Sequence, residues 1–280
     1  MKRAIKGIDH VMVIVPDLDR AAQAYARLGF DVQPRGIHKG LGTANNLMIL
    51  DEDYIELLGV LDPMPNNLRY KEIGEQGGAL ANVALGTDGA DLAHEAWTNA
   101  GLNPEPIIAF DRAVEIEGRT ERAAFRIVRL PHEARPGIGL FVCNHLTPQF
   151  VYRPEWRKHS NGARAISHIT IVAADPSRHR GAAEKVFGAD AISTGEGSMT
   201  VATGKAPFRY LDAARFAAAY PGHRPALAGD HAAAMGIRVA DMARLKACLA
   251  GAGVAYGETD DGRVLVPAKA ACNVLIEFGA

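Results

Sequence analysis

The apolar and polar positions of the chain repeat one order of elements, and the first copy is the clearest. A first strand is predicted from His10 to Val15, where apolar residues on both sides indicate that both faces are covered. Asp17 then caps a predicted helix that ends at Gly29. Three further strands are predicted over residues 30–32, 46–50 and 54–60, and the last two form a hairpin. The first copy therefore has the order β-α-β-β-β.

The same order is predicted three more times, with first strands that begin near residues 82, 166 and 235. The four helices start at Asp17, Asp91, Asp175 and Asp241. Their spacing of about 65–85 residues is too long for a solenoid repeat and suits a supersecondary module. The later strands of these copies are predicted at residues 113–116, 123–130, 138–143, 199–203, 208–211, 264–267 and 273–278.

One segment does not follow the repeat. Residues 144–164 contain aromatic, basic and proline residues without a helical or strand period. A chain of 280 residues also exceeds the usual size of a single core. We therefore predict two domains of two modules each, at residues 1–150 and 164–280, joined by a linker at residues 151–163.

Charge and hydropathy argue against two classes of partner. Lys and Arg number 31 and Asp and Glu 32, so the formal charge of −1 offers no overall attraction to nucleic acid or to an anionic membrane. No apolar run approaches the roughly 20 residues of a membrane helix, and the N-terminus lacks the apolar core of a signal peptide, which predicts a cytoplasmic protein. Cys143, Cys248 and Cys272 lie far apart in apolar sequence and are interpreted as reduced core residues.

The opening IDHVMVIVPDLDRAAQAYARLGF, the strand YIELLGV and the loop HKGLGTANNLMIL resemble the glyoxalase-like branch of the vicinal oxygen chelate superfamily. The match is specific over residues 7–60 and weaker over 78–163, and over 165–280 it rests mainly on the repeated order. The resemblance implies an α+β fold of tandem βαβββ modules, of the glyoxalase, bleomycin resistance and extradiol dioxygenase kind, in two paired-module domains. It also implies that paired modules enclose a site, commonly with a divalent metal held by the first and last strands.

His10 on the first strand and Glu56 on the last match the metal-ligand positions that the resemblance implies. Imidazole nitrogen and carboxylate oxygen suit a divalent ion such as zinc, nickel, manganese or iron. Glu56 lies in the apolar run YIELLGV, where a buried carboxylate needs a partner or a metal. His145, which shares strand parity with Phe141, is the candidate third ligand. The alternatives are that His10 is a core histidine and that His145 is a linker histidine.

Polar side chains elsewhere in these modules are candidate substrate contacts. The loop between the second and third strands carries His38 and Asn45, and Gly40 and Gly42 permit tight turns there. Asn82 stands where, by the resemblance, the second module would often supply a histidine or glutamine ligand. The alternative for the loop is a solvated hairpin whose Asn and Gly residues satisfy turn geometry.

A second site is predicted from His168 and Glu277, whose positions are analogous to those of His10 and Glu56. The resemblance to extradiol dioxygenases implies iron ligands from the C-terminal pair of modules, including a second histidine on the first strand of the fourth module. Here that stretch reads AAAMGIRVAD, and His231 is interpreted as lying upstream of the strand. The C-terminal domain is therefore expected to be degenerate.

The resemblance favours a metal-dependent lyase or isomerase of glyoxalase type. The metal would chelate a small oxygenated substrate and stabilise an enediolate-type anion, with Glu56 as ligand and proton acceptor. Two alternatives stay open, namely an extradiol ring-cleaving dioxygenase that uses ferrous iron and a metal-free protein that binds or sequesters a small molecule. Modules of this architecture pair within or between chains, so a homodimer also stays open.

Overall fold

Residues 4–280 are described by a computed structural model of the chain, and they contain the four modules predicted from the sequence. Module 1 consists of β1 (Ile8–Ile14), α1 (Leu18–Arg27), β2 (Gly36–His38), β3 (Thr43–Ile49) and β4 (Tyr54–Val60). A short helix that was not predicted, α2 (Leu68–Glu75), leads to module 2. Module 2 consists of β5 (Ala79–Gly86), α3 (Ala90–Asn99), β6 (Ile108–Ile116), β7 (Arg119–Arg129) and β8 (Gly139–His145).

The C-terminal half repeats this order. Module 3 consists of β9 (Ala163–Val172), α4 (Arg180–Phe187), β10 (Ile192–Gly195), β11 (Ser198–Val201) and β12 (Phe208–Leu211). The helix α5 (Ala213–Ala219) takes the place that α2 has in the first half. Module 4 consists of β13 (His231–Val239), α6 (Met242–Gly251), β14 (Gly257–Glu258), β15 (Val264–Val266) and β16 (Leu275–Gly279).

Aspartate caps fix the starts of most module helices. The Asp17 carboxylate accepts the backbone N–H groups of Asp19 and Arg20, and Asp241 does the same at the start of α6. Asp175 caps a 3₁₀ turn that precedes α4. Asp91 is the exception, because it lies in the first turn of α3 and Gly89 occupies the cap position. The starts of α1 and α6 were therefore predicted correctly from aspartates that accept free backbone N–H groups, whereas α4 begins one 3₁₀ turn after Asp175.

The strands of the described residues form one open sheet in the order β10-β11-β12-β9-β13-β5-β1-β4-β3-β2, from which the remaining strands of modules 2 and 4 branch. In each half the first strands of the two modules are antiparallel neighbours, β1 with β5 and β9 with β13. Each first strand also lies parallel to the last strand of its own module, as β1 does to β4. The tandem βαβββ fold is thus confirmed, and it puts residues of first and last strands side by side.

The strand predicted over residues 30–32 is wrong, since β2 lies at Gly36–His38. The ring of Phe30 contacts those of His159 and Phe278, at centroid distances of 5.5 Å and 6.2 Å, which explains why an apolar residue occupies this position. The backbone N–H of Asp31 donates to Nδ1 of His159 and not to a strand. Packing against the C-terminal half therefore accounts for an apolar run that resembled a strand.

The segment predicted as a linker, residues 151–163, is hydrogen-bonded to module 1. Nε2 of His159 donates to the carbonyl of Ile49 over 2.8 Å. The Asn161 amide donates to the carbonyl of Leu28, and its oxygen accepts the N–H of Ala163 at the start of β9. These contacts hold β9 against the first module.

No helix in the part of the chain that the structure describes is long and apolar enough to cross a membrane. The three cysteines are free thiols, of which Cys143 is buried and Cys248 and Cys272 are half-buried. Only Cys143 therefore fits the description of a fully enclosed core residue.

Asp53 makes the junction between the two halves sensitive to pH. This residue is 3% exposed, lies between β3 and β4, and accepts the backbone N–H of Ile166 in β9. Burial raises the pKa of its carboxyl from 3.8 to about 7, against the opposing effect of that hydrogen bond. The folded protein therefore binds the proton more tightly than the unfolded chain does. Its contribution to stability is present below the unfolded pKa and is lost as the pH rises through the folded value.

The substitution Asp53→Asn is expected to remove this part of the pH dependence. When the pH rises from about 6 to about 8, ionisation of Asp53 should lower the free energy of unfolding of the wild type by about 1 kcal/mol. The variant should not show this decrease. Urea denaturation at both pH values measures the difference. Asp51→Asn is the control, because Asp51 lies in the same turn with a more exposed side chain. Identical pH dependence in wild type and Asp53→Asn would contradict the assignment.

Candidate metal and substrate site

A cavity of about 690 Å³, including its open mouth, lies between the strands of modules 1 and 2. Four residues predicted from the sequence come together in it, namely His10, His38, Asn45 and Glu56. Module 2 supplies much of the remaining wall, and α2 contributes Tyr70. The further lining residues include Met12, Tyr54, Phe110, Arg112, Phe125, Arg129 and Phe141.

Neighbouring groups hold the His10 ring in one orientation. Its Nδ1 lies 2.7 Å from Oδ2 of Asp9, and its face stacks on Tyr54 with 4.3 Å between ring centroids. Burial disfavours the charged form of Asp9, but the charges and hydrogen bonds of His145 and His10 outweigh burial and hold the pKa of this carboxyl well below its usual range. The ionised Asp9 accepts the Nδ1–H of His10. The other ring nitrogen, Nε2, is therefore the atom of His10 that is available to a ligand.

The Glu56 carboxylate is oriented by Asn45, whose Nδ2 donates to Oε1 over 2.6 Å. Its other oxygen, Oε2, lies 3.6 Å from Nε2 of His10, which is too long for a hydrogen bond. When the His10 ring is neutral with its proton on Nδ1, two lone pairs face each other across this gap, and this arrangement suits a cation between them. Metal–nitrogen and metal–oxygen bonds of about 2.0–2.2 Å can span the gap. His10 and Glu56 thus fit a divalent ion that keeps open positions for a substrate.

His38 and Asn45 extend the polar lining towards the loop between β2 and β3. Nδ1 of His38 lies 2.9 Å from the Thr43 hydroxyl, and its Nε2 lies 3.2 Å from Nδ2 of Asn45. Burial lowers the pKa of His38, so its imidazole is neutral and accepts from the amide. Oδ1 of Asn45 has no hydrogen-bond partner in the described part of the chain. Because both side chains are buried, the solvated-loop interpretation does not describe them.

Two predicted residues lie away from the gap between His10 and Glu56. Asn82 does not line the cavity, and its amide contacts the sulfur of Met12 at 3.5 Å. Nε2 of His145 lies 2.9 Å from Oδ2 of Asp9, on the Nδ1 side of the His10 ring. Of the predicted ligand set His10, Glu56 and His145, only the first two are therefore brought face to face.

A second group of ligand-type side chains lies behind His10. Asp9, His10, Cys143 and His145 each place one atom within 4.8 Å of the others. The Asp9 carboxylate already accepts from both histidines and from the hydroxyl of Tyr152, at 2.8 Å. Burial raises the pKa of the Cys143 thiol well above its usual value, so a thiolate is disfavoured there. The Asp9 carboxylate is the common acceptor of this group, and Nδ1 of His145 has no hydrogen-bond partner in the described part of the chain. We assign the group to the support of His10.

Sequence reasoning missed Asp9 and Arg112 for different reasons. Regular alternation would put Asp9 on the face opposite His10, but the pairing of β1 with β5 shifts between Ile8 and His10. Such a bulge re-aims side chains and leaves no mark in a single sequence. Arg112, in contrast, shares its parity with Val114 and Ile116 in DRAVEI, which does predict a side chain on the buried face.

The predicted pair in the C-terminal half is satisfied by the protein itself. Nε2 of His168 lies 3.4 Å from Oε2 of Glu277 and 3.3 Å from the hydroxyl of Tyr220. The same carboxylate oxygen accepts from Arg263 over 3.2 Å. Burial disfavours the charged form of Glu277, but His168 and Arg263 outweigh it and lower the pKa of the carboxyl. The positive charge that the N-terminal pair lacks is thus supplied here by Arg263.

The two halves take their carboxylate from different modules. In the strand registers His168 lies opposite Gly236, which lies beside Glu277. The corresponding series in the N-terminal half runs from His10 through Ala84 to Phe141. Phe141 therefore occupies the place of Glu277, and the N-terminal half uses Glu56 of its first module instead.

The first strand of module 4 differs from the prediction at its start. His231 is the first residue of β13 and does not lie upstream of it. Its ring nevertheless bonds the carbonyl of Gly229, and Gly236 is the residue that faces His168. A Cβ at Gly236 would lie 2.2 Å from the His168 ring, so a second histidine has no room at this position.

Comparisons with known proteins agree with this fold. The family model described as "Glyoxalase-like domain" matches residues 8–187. No curated protein gives a significant match. Similar solved structures include a hypothetical protein from Staphylococcus aureus, at a TM-score of 0.69 and 13% identity over 97% of this chain and 98% of that one.

Two further solved structures are similar over nearly the whole chain. A mutant of 4-hydroxymandelate synthase from Streptomyces coelicolor has a TM-score of 0.60 and 13% identity over 98% of this chain and 92% of that one. A xylose isomerase-like TIM barrel/4-hydroxyphenylpyruvate dioxygenase fusion protein has a TM-score of 0.57 and 16% identity over 99% of this chain and 49% of that one. At these identities the similarities concern the fold alone.

Proposed function

The chain belongs to the glyoxalase-like domain family of the vicinal oxygen chelate superfamily, and on this premise we propose that its N-terminal cavity is the active site of a metal-dependent enzyme. The substrate is a small oxygenated molecule, and the reaction is of the lyase or isomerase type. One observation carries the proposal. Nε2 of His10 and Oε2 of Glu56 face each other over 3.6 Å, each held in place by a partner on its other side.

The side chains in this cavity have different proposed roles. A divalent ion at His10 and Glu56 would polarise adjacent substrate oxygens and stabilise an enediolate-type anion. Glu56 is the carboxylate placed to take a proton from a substrate carbon, and Asn45 keeps it in position. Phe125 and Phe141 line the same cavity, and apolar walls of this kind strengthen the electrostatic interactions of the charged groups beside them.

Metal analysis of protein purified without chelator tests the proposal. We expect about one ion per chain in wild type and its loss in His10→Ala, because the variant leaves a single protein ligand. His168→Ala is the matched control, since His168 has the equivalent place in the C-terminal half and already contacts Tyr220 and Glu277. Metal content that is unchanged in His10→Ala, measured by mass spectrometry and by titration of the metal-free protein, would contradict the proposal.

A metal-free binding protein is the second candidate, and Phe141 favours it. This residue lies where the C-terminal half has a carboxylate, and its ring packs against His10 with 5.5 Å between centroids. If this candidate is right, the wild type binds no divalent ion in the same titration. The dioxygenase alternative is less favoured, because His168 already contacts Tyr220 and Glu277 already accepts a hydrogen bond from Arg263.

A further inference from the structure

Arg112 is a buried cation without a counter-ion. It lies on β6, lines the cavity, and is 6% exposed. Its guanidinium makes no hydrogen bond and no ion pair with any residue from 4 to 280. A guanidinium carries five donors and stays charged in proteins. The Arg112 nitrogen atoms are not among the fully enclosed unpaired atoms, so their donors are open to a ligand that enters the cavity.

The fold makes room for this side chain. Gly36 on β2 has no Cβ, and a Cβ there would lie 3.0 Å from one terminal nitrogen of Arg112 and 3.1 Å from its Cδ. The same Cβ would lie 2.6 Å from Oδ1 of Asn45, the unpaired acceptor described above. The guanidinium is thus seated against the backbone of β2 beside the polar end of the cavity.

Glu56 does not neutralise Arg112. Burial lowers the pKa of the guanidinium, and the charge of Glu56 acts in the opposite direction from a distance beyond ion-pair contact. One oxygen of the Glu56 carboxylate accepts a hydrogen bond from Asn45, and the other faces His10. An anion that enters the cavity therefore finds Arg112 free to bind it through two parallel N–H donors.

Much of the remaining wall is apolar and aromatic, and its other polar members are Thr43, Asn66, Asn67 and Arg129. Phe110 and Phe125 stack with 5.2 Å between centroids, and both line the cavity with Phe141 and Tyr70. Such a wall accepts a hydrophobic body while a few polar groups fix its orientation. A fully polar anion such as inorganic phosphate would leave this surface uncovered.

We propose that the cavity binds carboxylic acids with an apolar body, anchored by their carboxylate on Arg112. The proposal rests on the proposed function in taking this cavity as the substrate site. The Arg112 contact itself does not depend on a metal, because the guanidinium binds the anion directly. Arg112, His10 and Glu56 line the same cavity, so an acid held on Arg112 shares that cavity with the Glu56 carboxylate.

Binding of matched acids and amides tests this inference. The probes are phenylacetate, 3-phenylpropanoate and hexanoate, with phenylacetamide and 3-phenylpropanamide as neutral counterparts, titrated calorimetrically into chelator-treated and metal-loaded wild type. We expect each of the two aromatic acids to bind about 10- to 100-fold more tightly than its amide, because charge-assisted bidentate hydrogen bonds form only with the acid. Equal affinity of acids and amides, or no acid binding up to about 10 mM, would overturn the inference.

Variants locate the anchor. Arg112→Gln should weaken every acid by about 10- to 100-fold and leave the amides unchanged, and Arg112→Lys should give an intermediate loss, since it keeps the charge without the fork. Arg119→Gln is the control, because Arg119 is exposed at the start of β7. Unchanged acid binding in Arg112→Gln would overturn the inference. If that variant does not fold, the comparison of acids with amides in wild type decides the question.

The two proposals fail separately. Acid binding that persists in chelator-treated protein supports the Arg112 anchor even if no metal binds at His10 and Glu56. Metal bound without any preference for acids over amides supports the metal site and overturns the anchor.

Discussion

Glu56→Gln is expected to lower the affinity for divalent metal by about 100-fold or more while the protein remains folded. The amide keeps the size of the carboxylate and removes the negative charge that faces Nε2 of His10 over 3.6 Å. Calorimetric titration of metal-free protein measures the change.

The C-terminal half offers a matched control for this variant. Glu277→Gln makes the same chemical change at a carboxylate that bonds His168 and Arg263. We expect it to leave metal affinity unchanged. Equal losses of affinity in the two variants, or none in Glu56→Gln, would contradict the assignment of Glu56.

Asp9→Ala is expected to lower the free energy of unfolding by about 3–5 kcal/mol, because it leaves several buried donors without their charged acceptor. These donors are the ring N–H groups of His10 and His145 and the hydroxyl of Tyr152. Tyr152→Phe removes one of the three bonds and should cost about 1 kcal/mol. Urea denaturation measures both values, and similar costs for the two variants would contradict a central role for Asp9.

The milder variant Asp9→Asn separates support of the fold from support of the metal site. An amide NH₂ placed against Nδ1 of His10 would favour the proton on Nε2, the nitrogen that faces Glu56. Metal affinity is then expected to fall by about 10- to 100-fold, as for other groups that orient a metal-bound histidine. Unchanged affinity in a folded Asp9→Asn protein would mean that Asp9 does not set the proton position on His10.

Much of the fold could be predicted from the sequence because its signals are local. Asp17, Asp175 and Asp241 satisfy free N–H groups at helix starts, and period-2 apolar patterns indicate most strands. The error at Phe30 arose because packing against His159 and Phe278, far away in the chain, requires the same apolar character as a strand.

The candidate site was predictable only in part. His10 and Glu56 meet because β1 and β4 are parallel neighbours in one module, a relation that the module order implies. Asp9 depends on a bulge, and the placement of His145 depends on that bulge as well. Whether a buried residue such as Arg112 has a partner is a property of tertiary structure, which no local pattern encodes.

The two halves share one arrangement of strands but differ in the partners of their histidine–glutamate pairs. In the C-terminal half Arg263 and Tyr220 complete the pair of His168 and Glu277, so that no open charge remains between them. In the N-terminal half the gap between His10 and Glu56 stays open, and the free guanidinium of Arg112 lines the same cavity. The chemistry is therefore expected in the first half, with the second half as its structural counterpart.

The most direct measurement is a crystal of the protein soaked with Mn²⁺, with anomalous scattering recorded to locate the ion. We predict a peak between His10 and Glu56, at about 2.0–2.3 Å from Nε2 and from a carboxylate oxygen. A peak among Asp9, Cys143 and His145, or no peak within reach of Glu56 at saturating Mn²⁺, would contradict the assignment of the metal site.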